Sequence, residues 1–270
     1  MPIDDLPQIG LGTYSKDNRG QWTDNVRTAL KVGYRHIDTA QVYRNENYIH
    51  EGIKTSDVSR DELFLATKTV HHDVPSNSED IDDAIEGCLN RLNVERVDLL
   101  YVHWPSGIYE HEKILPAFNK AYHEGKTRHI GLSNFTPKLI NEAQEWLDVP
   151  MVAHQVEMHP LLHQEENLKY AQDQDHWLVA YSPLAKGKVF EVPEIQEVAR
   201  KHEVTPAKVS LAWLLSKDNV AVVPKASSRD HMYDNLDAKN LTLDENDIDL
   251  INSIKQELRV VDPKYGPWHW

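Results

Sequence analysis

A single cysteine, Cys88, excludes any internal disulfide. It lies in the helix-patterned stretch 80–92, where it reads as a half-buried packing residue rather than a reagent. Basic residues are also outnumbered, 29 lysines and arginines against 43 aspartates and glutamates, for a formal net charge of −14. That balance repels phosphate backbones and argues against nucleic acid as a partner. It leaves room for a local basic pocket, and it also fits a high-salt source. No apolar run approaches the roughly 20 residues of a membrane-spanning helix, and Met1-Pro-Ile-Asp-Asp carries no basic, apolar leader. A cytoplasmic protein with no membrane partner is therefore expected. No Gly/Ser-rich or low-complexity stretch offers a linker, and no repeat is clear. No Gly-x-Gly-x-x-Gly follows a strand pattern, which excludes the commonest way a doubly wound sheet holds a dinucleotide. Although the chain has 15 histidines, His71, His72, His154 and His159 stand in no cluster with cysteines or carboxylates at ligand spacing. They are expected to be surface or hydrogen-bonded residues, with no metal site.

What is present alternates. Strand-length apolar runs at 34–37, 62–68, 97–103, 127–132, 151–156, 177–181 and 220–225 are interleaved with helical periodicity at 23–32, 45–54, 78–92, 114–124, 193–202, 206–217 and 243–257. With 270 residues and 40% hydrophobic content, the chain suits one (β/α)8 TIM barrel spanning 1–270, for which roughly 250 residues is typical. A remaining strand has a short candidate at 239–241. The stretch 6–14, apolar residues alternating with glycines, suggests a small N-terminal hairpin closing the barrel bottom.

Three successive strands end in polar residues: Asp38, Lys68 and His103. In a parallel barrel such positions converge on one site at the C-terminal face. Each also has a plainer reading. Asp38 could cap the helix starting near Asn45, Tyr43 could merely pack, and Lys68 could snorkel to the surface.

The motifs Gly33-Tyr-Arg-His-Ile-Asp-Thr-Ala with Tyr43 following, Leu65-Ala-Thr-Lys68, Val102-His-Trp-Pro105, Gly131-Leu-Ser-Asn-Phe135 and Val223-Pro-Lys225 resemble the aldo-keto reductases over nearly the whole chain. The resemblance implies a catalytic set of Asp38, Tyr43, Lys68 and His103. It implies NADPH, with NADH possible, as cofactor and a small carbonyl compound as substrate. By the same resemblance Ser133, Asn134 and Gln155 hold the nicotinamide carboxamide, Tyr181 stacks on its ring, and Ser182, Pro183 and Leu184 contact the diphosphate. Lys225, Ala226, Ser227, Ser228 and His231 lie at the 2′-phosphate and ribose, Asp234 and Asn235 at the adenine. Tyr14 and Trp104 line the substrate pocket beside His103, and the aromatic tail 260–270 folds over the mouth. As isolated residues, Ser133, Asn134 and Gln155 could equally cap helices, Trp104 could pack behind its strand, and the tail could pack on the outer helices. The loop 105–112 is short and suggests an open site.

Reduction of a carbonyl needs a hydride donor and a positioned acid. Tyrosine is a weak acid, with a reference pKa of roughly 10, so Lys68 is expected to lower the Tyr43 phenol while Asp38 holds the ammonium. One departure from the family concerns the 2′-phosphate. Six residues after the Pro-Lys lysine, NADPH-preferring relatives carry an arginine where this chain has His231. A monomer is expected. A nicotinamide-binding sensor with little turnover would keep the same pocket, while a barrel hydrolase or lyase would need paired carboxylates, a metal set or a phosphate site that the sequence does not display.

Overall fold

The computed structural model describes residues 3–15, 19–70, 78–105 and 109–270; His71 and His72 lie outside them. Eight parallel strands follow one another around a sheet in chain order: β1 (Leu11–Gly12), β2 (His36–Asp38), β3 (Phe64–Thr69), β4 (Val97–Val102), β5 (Thr127–Ser133), β6 (Met151–Glu157), β7 (Trp177–Tyr181) and β8 (Val220–Val222). The sheet closes on itself. Gly10 donates its N–H to Val222 O at 2.9 Å, Gly12 to Pro224 O at 3.1 Å, and Val222 to Gln8 O at 2.7 Å. Gly12 allows that approach, since a Cβ there would stand 2.4 Å from the Val223 carbonyl oxygen.

The stretch 6–14 is thus not a hairpin. Its Leu11 and Gly12 pair parallel with Ile37 and Asp38, so it supplies the first barrel strand, and the strand ending in Asp38 is the second. This is also the strand sought at 239–241, where the chain instead makes a 3-10 turn, Ala238–Asn240. Glycines disguise it, because a strand usually avoids them; here Gly12 is required by the tight seam and Gly10 by the His36 ring, 2.6 Å from where its Cβ would stand.

The helices cover the outside: α1 (Trp22–Val32), α2 (Glu46–Lys54), α3 (Ser78–Leu92), α4 (His111–His123), α5 (Pro137–Gln144), α6 (Glu165–Asp173), α7 (Pro193–His202), α8 (Pro206–Leu215), α9 (Arg229–Asp237) and α10 (Glu245–Asn252). Local chemistry sets their ends. α1 buries Trp22, Val26, Ala29 and Leu30 on one face and stops at Gly33, whose φ of 120° and N–H bonds to Ala29 O and Leu30 O form the terminus. α5 and α8 begin at Thr136 and Thr205, each accepting from a backbone N–H three residues on, with proline at the first helical position. Strands such as β4 are buried along their whole length, as expected when helices cover one face and the barrel interior the other. Among the described residues no helix is long and apolar enough to cross a membrane, and no group of three or more His, Cys, Asp or Glu could hold a metal.

Two readings of single residues change. Cys88 is fully rather than half buried, with Arg91 Nη2 3.5 Å from its sulfur. His159 is hydrogen-bonded as expected, to Glu157, and His154, on β6, is fully buried, with the backbone of Phe135 as its one polar neighbour among the described residues. Its ring centroid is 6.5 Å from that of buried His176. Burial pushes His154 down to about 3 and His176 to about 4.

These two residues generate a pH-dependent stability. Both folded-state values lie below the unfolded value, so their stabilisation is complete above about pH 6.5 and is lost as pH falls toward 4, because only the unfolded chain then takes up the protons. Between pH 6.5 and 5 each histidine should remove on the order of 1–2 kcal/mol. Urea unfolding at the two pH values is expected to show a smaller loss in His154→Leu than in wild type; equal losses would show that His154 titrates alike in both states.

Candidate active site

Alternation decides which side chains reach the barrel interior. Phe64 and Ala66 of β3, Leu99 and Tyr101 of β4, Ala153 of β6, Val179 of β7 and Ala221 of β8 form the inner core. Continued toward the C-terminal ends, the same period of two places Asp38, Lys68, His103, Ser133, Gln155 and Tyr181 on the inner face.

Lys68 is fully buried, which rules out a snorkelling role. Its Nζ donates to Asp38 Oδ1 at 2.5 Å and to Thr39 O at 2.9 Å. The other Asp38 oxygen accepts from Gln155 Nε2 at 2.8 Å, so Asp38 caps no helix; α2 starts at Glu46 without a side-chain cap. A buried ion pair holds only where neighbours complete its hydrogen bonds, and Thr39 and Gln155 do so here. Tyr101 lies under the ammonium, 5.5 Å from Nζ to ring centroid. Gly131 makes room for that ring, since a Cβ there would meet it at 2.5 Å.

A chain of polar contacts then fixes the loop after β2. Thr13 Oγ1 donates to Asp38 O at 3.0 Å, Asn45 Nδ2 to Thr13 O at 2.8 Å, and Thr39 Oγ1 to Asn45 Oδ1 at 3.0 Å. Thr69 Oγ1 holds Gln41 at 2.8 Å, and Gln41–Tyr43 form a 3-10 turn. Tyr43 is thereby set 5.8 Å from Lys68 Nζ to its ring centroid. It stands edge-on to His103 at 5.8 Å and to Tyr14 at 5.1 Å.

The phenol is not lowered as expected. Burial, then the Asp38 carboxylate, then Tyr14 hold Tyr43 well above its ordinary value. Burial likewise pulls the Lys68 ammonium down, against the support of Asp38. Burial is the main reason, and because Lys68 is in contact with Asp38, Tyr43 faces a charge pair rather than a lone cation. Tyr43 is consequently a protonated hydroxyl at neutral pH.

The mouth is aromatic. Trp104 is buried, with Tyr265 edge-on at 5.3 Å and Trp268 at 5.7 Å, so the tail does lie over the C-terminal face. It is fastened there by Glu157, a fully buried carboxylate at the end of β6 that accepts from Val260 N at 2.6 Å, Val261 N at 2.7 Å and His159 Nε2 at 2.9 Å. Sequence reasoning passed over Glu157, Thr39 and Asn45. For Glu157 the signal was available: a carboxylate ending an apolar strand, as Asp38 does.

The Aldo/keto reductase family model matches residues 8–256. The chain belongs to the aldo/keto reductase family. It is 35% identical to glyoxal reductase of Bacillus subtilis (strain 168) over 256 residues, covering 95% of this chain and 91% of that protein. It is 35% identical to methylglyoxal reductase DkgB of Escherichia coli O157:H7 over 263 residues, covering 96% and 97%. Among solved structures, an aldo-keto reductase enzyme from a Medee basin deep-sea metagenome library superposes with a TM-score of 0.89 at 30% identity, covering 97% of this chain and 95% of that one. The protein is an oxidoreductase of carbonyl compounds that uses a nicotinamide cofactor.

In this aldo/keto reductase, the residues matched to the carboxamide already form one network. Ser133 Oγ donates to Gln155 O at 3.0 Å, Asn134 Nδ2 donates to His103 O at 3.0 Å, and Asn134 Oδ1 accepts from Tyr181 OH at 2.8 Å. Gln155 commits its amide nitrogen to Asp38. After Tyr181, the loop containing Ser182, Pro183 and Leu184 holds Ser182, Ala185 and Lys186 at positive φ. Further round the face, Lys225, Ser227, Ser228 and His231 are exposed beside the start of α9, where Ser228 Oγ accepts from His231 N at 3.3 Å, while Ala226 and Asn235 are buried. Asp234 takes the Thr205 hydroxyl at 2.5 Å, which turns its carboxylate toward α8.

The buried pair sets a stability test. Lys68→Met leaves the Asp38 charge uncompensated and is expected to cost about 3–5 kcal/mol. Adding Asp38→Asn should recover part of that loss in urea unfolding. A double variant no more stable than Lys68→Met would show that the charge of Asp38 is not what the lysine offsets.

Proposed function

We propose that this aldo/keto reductase reduces small aldehydes, the dicarbonyls glyoxal and methylglyoxal among them, with Tyr43 as the acid and NADPH as the preferred cofactor. One observation carries the reading: a protonated, half-buried Tyr43 held edge-on to His103 above the buried Lys68–Asp38 pair, at an aromatic mouth. The names of the glyoxal and methylglyoxal reductases support the substrate class.

The residues present fit a nicotinamide dinucleotide. The amide oxygens of Asn134 and Gln155 keep acceptor capacity for a carboxamide, their nitrogens being engaged by His103, Ser133 and Asp38, and the partly exposed Tyr181 offers a ring face. Backbone held at positive φ by Ser182, Ala185 and Lys186 costs of order 1–3 kcal/mol per residue and tends to persist where a ligand uses it. When bound, nicotinamide would supply the hydride. Tyr43 gives its hydroxyl proton to the carbonyl oxygen as the alkoxide forms, and His103 hydrogen-bonds the same oxygen and orients it. Lys68 supplies positive charge below the phenol while Asp38 and Gln155 fix its ammonium. Trp104 and the tail exclude water from this space.

The 2′-phosphate of NADPH would meet Lys225, Ser227 and the Ser228 cap. His231 in place of arginine provides no bidentate fork, so the preference over NADH is proposed to be narrow. A pocket retained only for sensing the cofactor would bind it with no aldehyde turnover.

Tyr43→Phe is expected to lower kcat for methylglyoxal on the order of 10²-fold or more, with NADPH binding by tryptophan-fluorescence quenching nearly unchanged; a wild-type rate would remove Tyr43 from the acid's role. His231→Arg should raise the ratio of kcat/KM for NADPH over NADH at pH 8. A ratio unmoved by the substitution would place His231 away from the phosphate.

A further inference from the structure

Tyr101 takes no part in the chemistry described above, although it lies directly beneath it. Its side chain is buried on the inner face of β4. In the sheet it pairs with Lys68 of β3 on one side and with Gly131 of β5 on the other. Toward β3, the ring centroid is 5.5 Å from the Lys68 ammonium. Toward β5, the missing side chain at Gly131 opens a lane, since a Cβ there would stand 2.5 Å from the Cδ1 and Cε1 atoms of the ring. The ring lies across that lane, and its hydroxyl reaches the side chain of Gln155 on β6, to which it is hydrogen-bonded. The bond favours the ionised phenol, as a donor to its oxygen does, which makes the Gln155 amide nitrogen the donor. Burial, and then the Asp38 carboxylate, nevertheless hold Tyr101 well above its ordinary value, so it remains a neutral hydroxyl and is no second acid.

Gln155 is itself buried, and its Nε2 also donates to Asp38 Oδ2 at 2.8 Å. Its backbone carbonyl accepts from Ser133 Oγ at 3.0 Å and from Asn134 N at 2.9 Å. An amide nitrogen carries two N–H donors. A bond from one of them fixes the nitrogen but leaves the amide plane free to turn about that bond. A second acceptor, on another strand, fixes the plane. With the nitrogen engaged by Asp38 and Tyr101, Oε1 is the atom that Gln155 offers a ligand, and an acceptor in that position calls for an N–H. The carboxamide of nicotinamide carries one. A methyl group in its place leaves a buried acceptor unpaired, which lowers affinity.

We propose that Tyr101 is a positioning residue for the cofactor: it holds the plane of the Gln155 amide, keeps Oε1 aimed at the amide N–H of nicotinamide, and so makes the enzyme select a carboxamide over an acyl group of the same size. This rests on the reading of Gln155 as a carboxamide contact. Tyr101 acts through Gln155 and touches neither the ring nor the carbonyl substrate.

The test measures the dissociation constants of NADP+ and of its 3-acetylpyridine analogue, in which CH3 replaces NH2, by tryptophan-fluorescence quenching in wild type, Tyr101→Phe and Gln155→Met. Phenylalanine keeps the ring across Gly131 and beneath Lys68 and removes the hydroxyl alone. Wild type is expected to bind NADP+ about 5-fold or more tightly than the analogue, and Tyr101→Phe to reduce that preference to about 2-fold or less by weakening NADP+ while leaving the analogue unchanged. Gln155→Met should abolish the preference as well. A wild-type preference retained in Tyr101→Phe overturns the proposal, whether both cofactors bind more weakly together, as loosened packing would cause, or neither does. If Gln155→Met also retains it, or wild type shows none, the reading of Gln155 fails and takes the proposal with it. A preference lost in Gln155→Met and kept in Tyr101→Phe removes Tyr101 alone.

Discussion

The ion pair between Lys68 and Asp38 is the constraint on which the C-terminal face depends. Two opposite charges removed from water are stable only if their remaining hydrogen-bonding capacity is met, and meeting it dictates the surroundings. Gln155 must point at Asp38, the Thr39 carbonyl must face the ammonium, and Thr13 and Asn45 must hold the loop that brings Thr39 there. Tyr43 inherits its place from that loop. Burial and then the Asp38 carboxylate keep its hydroxyl protonated, with no cation lowering its pKa.

The barrel makes this arrangement possible because its interior is narrow and ordered by a period of two. Alternate residues of each strand stack in layers, so a large phenol at Tyr101 requires a glycine opposite, at Gly131. The seam between β1 and β8 imposes the same kind of exchange. A tight approach to the Val223 carbonyl forbids a side chain at Gly12, and the strand that results is only two residues long.

A second buried carboxylate organises the mouth. Glu157 sits one alternation step beyond Gln155 on β6 and turns two of its bonds to the amides of the returning tail. The tail's aromatics thereby reach Trp104 without needing any regular secondary structure of their own beyond a short 3-10 turn, Pro267–His269.

The strand-helix alternation, and with it the barrel, was legible because covered parallel strands are continuous apolar runs and their helices are periodic. The catalytic candidates were legible too, since a polar residue at the end of an apolar run, as at Lys68 and His103, is unexpected on local grounds alone. Two kinds of feature were not. The first strand was hidden because two residues carry no pattern, and only the neighbouring strands explain its glycines: the His36 ring of β2 for Gly10 and closure against β8 for Gly12. Individual environments were hidden because they depend on groups far away in the chain: Gln155 on Asp38, Asp234 on Thr205, the tail on Glu157, and the Tyr43 phenol on burial outweighing its lysine. Sequence by itself determined which side chains are present and on which face each must lie. Only the tertiary structure decided their partners and their charge states, because desolvation and hydrogen bonding act through space and depend on what the closed barrel brings within a few ångströms.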